Sequence, residues 1–85
     1  MSSANDIRNY CIEHYINSAR INNIKNIIIR AGNVHNEMNY KDRMPLICST
    51  LGSLKFEKEA NIKRISITGP SNGANTLFEY DILFS

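Results

Sequence analysis

Two stretches near the C-terminus alternate apolar and polar residues with a period of two, and an uncharged tip lies between them. In "IKRISITG", Ile65 and Ile67 point one way while Arg64, Ser66 and Thr68 point the other. In "TLFEYDIL", Phe78, Tyr80 and Ile82 share one side and Glu79 and Asp81 the opposite one. Such alternation marks strands with one buried face. Pairing the two runs sets Ile65 opposite Tyr80, Ile67 opposite Phe78 and Arg64 opposite Asp81. The apolar sides then coincide and opposite charges meet, so the sequence predicts a hairpin in that register. Its tip, within "ITGPSNGANTL", holds two glycines, one proline and two asparagines. A hairpin can turn in two residues, so a tip this long either lies idle in solvent or touches something.

Upstream of the hairpin the periodicity is helical. In "ANDIRNYCIEHYINSAR", Ile7, Tyr10, Cys11, His14 and Tyr15 recur at steps of three and four, the spacing of one helix face. Ser3 or Asn5 can cap its start, and Asp6 suits the positive end of the helix dipole. Ile12 and Ile16 form a second stripe, which predicts a helix wrapped by the fold or used in a subunit contact. "RINNIKN" reads as a linker, and "NIIIR" as a short buried strand of β-branched residues. "AGNVHNEMN" predicts a short helix with Val34 and Met38 at i and i+4, followed by the connector "YKD". Asp42 is a candidate N-cap for the helix "RMPLICSTL", because Pro45 then falls in the first turn, where a missing N–H costs little. Ile47 and Leu51 share a face of that helix, which stops near Gly52. Ser53 can cap a further short turn, "LKFEKEAN", with Leu54, Phe56 and Ala60 as packing residues.

Size and charge narrow the function classes. Eighty-five residues form one domain, 1–85, with a single small core. Apolar residues make up 42% of the chain, thirteen of them isoleucine, which suffices for that core. No apolar run approaches the ~20 residues of a membrane span, and "MSSANDIRNY" lacks a signal peptide's apolar stretch, so the expectation is a cytoplasmic protein. The net charge of +2 is unevenly placed: from Arg20 to Arg64 nine bases against four acids leave +5, and the ends are mildly acidic. A basic middle suits a polyanionic partner.

The order of helix, short strand, short helix, tight turn, helix and long-tipped hairpin resembles a winged helix-turn-helix domain. "IIIRAGNVHNEMNYKDRMPLICSTL", residues 27–51, looks like its strand, second helix, turn and recognition helix, and "RISITGPSNGANTLFEYDI", residues 64–82, like its wing. The resemblance implies an α+β fold with three main helices, a C-terminal two-stranded β-hairpin wing and a short strand between helices 1 and 2. It implies double-stranded DNA as partner, sequence-specific or semi-specific binding and, as the commonest use of such a domain, transcriptional regulation. The helix over about 43–51 would enter the major groove and the wing 68–76 would meet the flanking backbone. Arg43 is then the leading base-reading candidate, because a guanidinium grips guanine O6 and N7 together. Ser49 and Thr50 would add short donors and acceptors. Lys41, Lys55 and Lys58 would bind phosphates, with Lys63 and Arg64 at the base of a wing whose tip lacks Arg and Lys. Ser71, Asn72, Gly73 and Asn75 could approach backbone or minor groove closely. A homodimer through the first helix, using Ile12 and Ile16, completes the expectation.

Other chemistries find less support. His14 reads as a core or interface residue, His35 as an outward one, and Tyr10 and Tyr15 as packing residues. His14, His35, Cys11 and Cys48 have no recognised metal-ligand spacing. Neither cysteine belongs to a CxxC pair, so both read as apolar thiols. "TGPSNGAN" lacks the GxxxxGK[ST] pattern and precedes a strand rather than a helix, so no nucleotide site is expected. No catalytic set of carboxylates, Ser/His/Asp or Cys/His emerges; neither an enzyme nor a cofactor is expected. The rival reading uses the same fold as a protein-interaction module without DNA binding.

Overall fold

The computed structural model describes residues 3–82. They form a mixed α+β unit in which helices pack on one antiparallel sheet. The first helix is one continuous rod in three parts: α1 (Ala4–Cys11), a π-helical turn (Ile12–Ile16) and α2 (Asn17–Ile21). Ser3 caps it, its side chain accepting from the Asp6 N–H at 3.2 Å. The π turn changes which residues face inward. Ile7, Cys11, Ile16 and Ala19 are the buried apolar ones, so the inward apolar line steps by four, then five, then three. A step of five matches the wider turn of a π-helix, which takes one more residue than an α-turn. Ile16 therefore enters the core, whereas His14, expected inside, is exposed and stacks on Tyr10 with ring centres 4.2 Å apart. With Ile16 fully buried, the expected Ile12/Ile16 dimer stripe is not a surface; Ile12 packs partly against the same core.

Strand β1 (Asn26–Arg30) leads directly into α3 (Ala31–Glu37). Residues 38–43 then turn into α4 (Met44–Leu51), with Asn39 and Asp42 at φ 58° and 57°. Asp42 is thus a left-handed turn residue and not the expected N-cap. Arg43 holds the cap position without a side-chain capping bond. Its N–H instead donates to His35 Nε2 at 3.1 Å, which ties the turn to α3. After Gly52, Ser53 caps α5 (Leu54–Ala60) by accepting from the Phe56 N–H at 3.2 Å. The expected short turn is therefore a fourth helical element. Asn61 ends it at φ 56° in the left-handed conformation. There Arg20 donates to the Ala60 and Asn61 carbonyls at 2.5 and 2.7 Å, supplying a cation where the helix dipole favours one.

The hairpin of β2 (Lys63–Thr68) and β3 (Leu77–Asp81) does not stand apart, as expected of a two-stranded wing. It joins β1 in a three-stranded sheet of order β1-β3-β2, with β3 at the centre and both pairings antiparallel. Ile67 does lie opposite Phe78, but an irregularity between Arg64 and Ser66 sets Arg64 opposite Tyr80 and Lys63 opposite Asp81. The extra residue of a bulge breaks the period of two. Ile65 is left 51% exposed while Arg64 takes up an internal contact. Asp81 pairs with Lys25 at 3.2 Å instead of Arg64. Between sheet and helices lies one core in which Phe56 meets Tyr80 edge-on at 5.5 Å, and the Tyr80 hydroxyl donates to the Leu51 carbonyl at 2.5 Å.

Candidate nucleic-acid interface

The β2–β3 connection, long for a hairpin, is fastened to its own chain. The Ala31 and Gly32 N–H groups, at the start of α3, donate to the carbonyls of Thr76 and Ala74 at 3.0 and 2.9 Å. Arg30 closes the clasp from the strand end: its Nε and Nη2 donate to Asn75 Oδ1 at 3.3 and 2.7 Å, and Nη1 to Asn33 Oδ1 at 2.9 Å. Inside the loop the buried Thr76 hydroxyl donates to the Pro70 carbonyl and accepts from the Gly73 N–H. Gly32 is required here by close approach, since a Cβ would sit 2.8 Å from the Ala74 carbonyl oxygen. The tip thus touches α3, and this leaves Ser71 and Asn72 exposed while engaging Asn75 internally.

The clasp opens a notch between loop and α4. Cys48, Ser49, Ile67, Gly69, Pro70, Ser71, Asn72, Thr76 and Phe78 line a cleft of about 280 Å³. Ser49, Ser71 and Asn72, three of the expected contact residues, are thereby brought together. Thr50 is not among them: it is 3% exposed and donates to the Leu46 carbonyl at 2.7 Å. This back-bond satisfies the hydroxyl inside the helix, so Thr50 is a core-facing residue and not a contact. Burial pushes the Cys48 thiol up, and burial with the Glu37 charge pushes Cys11 up to about 12. Both therefore stay neutral thiols near pH 7.

The cations divide by type. Arg8 pairs with Glu59 at 2.8 Å, Arg20 holds the end of α5, Arg30 holds the loop, and Arg64 donates to the Gly52 carbonyl, 4.0 Å from Glu57. Four of the five arginines are therefore structural, and Arg64 is withdrawn from the expected DNA contacts by the β2 bulge. Arg43, by contrast, is exposed, and its side chain makes no hydrogen bond or ion pair among the described residues. Lys41, Lys55, Lys58 and Lys63 are likewise exposed with no internal hydrogen bond or ion pair among the described residues. Lys41 and Arg43 immediately precede α4. Lys58 and Lys63 line a second groove with Leu54, Glu57, Asn61 and Ile62, whereas Lys55 lies outside that lining.

A further cluster escaped the sequence reading. The Tyr10 and Tyr15 hydroxyls both donate to Glu37 Oε1, at 2.8 and 2.6 Å, and so bind the first helix to α3. Two residues five apart can meet one carboxylate because the π turn lies between them. Partial burial and the Glu37 hydrogen bond push Tyr10 up to about 12. Among the described residues, no three His, Cys, Asp or Glu side chains are grouped to hold a metal ion, and no helix is long and apolar enough to cross a membrane. No family model matches the chain, and no curated protein or solved structure matches it either.

Proposed function

We propose that the chain is a winged helix-turn-helix domain that binds duplex DNA, with α4 in the major groove and the β2–β3 loop on the adjoining backbone. The observation that carries the reading is the notch in which Ser49 of α4 meets Ser71 and Asn72 of the loop. Two exposed cations with no hydrogen bond or ion pair among the described residues, Lys41 and Arg43, stand directly ahead of the same helix. The element order and a central β3 between β1 and β2 are compatible with that fold. Lys41 and Arg43 would grip phosphate or guanine, and the loop's exposed Ser71 and Asn72 would fix register on the backbone.

Titration of a duplex against salt tests this. Five exposed cations with no ion pair among the described residues bound the slope of log affinity against log salt at about −4.5, and Lys41 and Arg43 alone would give roughly −1.8. Arg43→Ala should flatten it by about 0.9 and weaken binding. A second reading has its own support: α4 carries no charged residue from Met44 to Leu51, and four arginines serve the fold. On that reading the surface docks another protein. Absence of any duplex binding at low salt decides for it.

A further inference from the structure

The surface that α4 offers is unusual in what it lacks. Ile47, Cys48, Thr50 and Leu51 are buried, Met44 and Leu46 are half-buried, and Pro45 and Ser49 are exposed. At 100° per residue, Pro45 and Ser49 fall on one stripe, four residues apart, with the edge of Leu46 beside it. Across the notch stand Ile67, 48% exposed, and the exposed Pro70. The α4 side of a surface facing base edges would therefore present a pyrrolidine ring, aliphatic carbons and one hydroxyl, while the polar groups of the notch, Ser71 and Asn72, stand on the loop side. It has no side chain for the bidentate grip on guanine that Arg and Lys make, nor for the adenine contact of Asn and Gln, along the whole of α4. What apolar atoms can recognise in the major groove is the C5-methyl group of a pyrimidine.

We propose that α4 reads pyrimidine C5-methyl groups, through Pro45 and the edge of Leu46, with Ser49 bonding a neighbouring base edge. The inference rests on the DNA-binding reading and specifies its target. Lys41 and Arg43 supply the complementary charge that brings the neutral face to the polyanion. The methyl belongs to thymine or to 5-methylcytosine, which present the same group at the same place in the groove.

One mixed-sequence duplex prepared in four forms separates these sources: thymine or uracil, and cytosine or 5-methylcytosine. All four carry the same phosphates, so any difference in affinity at one low salt concentration belongs to the methyl groups. Burying one methyl corresponds to about a 3- to 5-fold gain, so replacing thymine by uracil is expected to weaken binding several-fold if thymine is read. Replacing cytosine by 5-methylcytosine is expected to strengthen it by a similar factor if that base is read. Pro45→Ala, which keeps a good helix former in the first turn, should shrink the ratio while leaving the salt slope unchanged. Equal affinity for all four forms, with normal salt dependence, overturns methyl reading and leaves DNA binding standing. Failure to bind any form at low salt overturns both.

Discussion

Gly32→Ala sets two physical effects of opposite sign against each other, and the geometry decides between them. Gly32 lies in the first turn of α3, where replacing glycine by alanine normally stabilises by roughly 0.5–1 kcal/mol. Its site does not permit that gain. The new Cβ would lie 2.8 Å from the Ala74 carbonyl oxygen, 2.8 Å from Arg30 Nη1 and 2.9 Å from the Ala74 Cβ. The arginine can swing aside, but the Ala74 carbonyl is held by the Gly32 N–H at 2.9 Å and the next clasp bond is 3.0 Å long. Overpacking of this kind costs about 1–3 kcal/mol, and the strained hydrogen bond adds about 0.5–1.5 kcal/mol. After the helix gain is subtracted, a net loss of about 0.5–4 kcal/mol remains, centred near 2 kcal/mol. In a domain of this size that lowers the melting temperature by on the order of 10 °C. Thermal unfolding followed by circular dichroism measures it, and amide exchange at Gly32 and Ala31 should quicken in parallel. A Gly32→Ala protein that melts at or above the parent temperature refutes the claim that the loop is clamped to α3.

Tyr80→Phe removes a buried hydroxyl and strands the Leu51 carbonyl at the end of α4; a loss of about 1–3 kcal/mol is expected in urea unfolding, and an unshifted midpoint contradicts the contact. Stability should also decline at alkaline pH. Cys11 and Tyr10 are both pushed up to about 12 in the folded chain, so above about pH 9 the unfolded chain releases protons that the native one keeps. Their contribution is complete below that pH and disappears as it rises towards about 12. Urea midpoints across this range should fall, with Cys11→Ala flattening the first part of the decline; a constant midpoint speaks against it.

What the sequence revealed and what it hid have distinct physical origins. Element order and type followed from periodicity: the Ile7/Cys11 helix face, Pro45 in the first turn of α4 and the Ile67/Phe78 register lie where pattern predicts, and β1 is a strand, although Ile29 is buried while Ile28 and Ile67, both expected on buried surfaces, are exposed. Two of the misses arise where one residue is added to a repeat. The π turn carried Ile16 inward and His14 outward, and the β2 bulge turned Arg64 to the helices and Ile65 to solvent. Neither irregularity leaves a local mark, since each is decided by packing across the fold. The same holds for the arginine contacts to Glu59, Ala60, Asn75 and Gly52, which lie 12 to 51 residues away along the chain. The candidate site was half legible: Lys41, Arg43, Ser49, Ser71 and Asn72 face solvent, whereas Thr50, Arg64 and Asn75 are engaged internally.

The allocation of four of the five guanidinium groups to the fold and of the ammonium groups to the surface separates two properties that usually change together. A planar fork that bonds two acceptors at once suits interior fastening, and a compact hydrated charge suits open water. Acylating Lys41, Lys55, Lys58 and Lys63 would cancel four positive charges and invert the sign of the molecule's field. The arginine fastenings of α5, the loop and the bulge would remain in place.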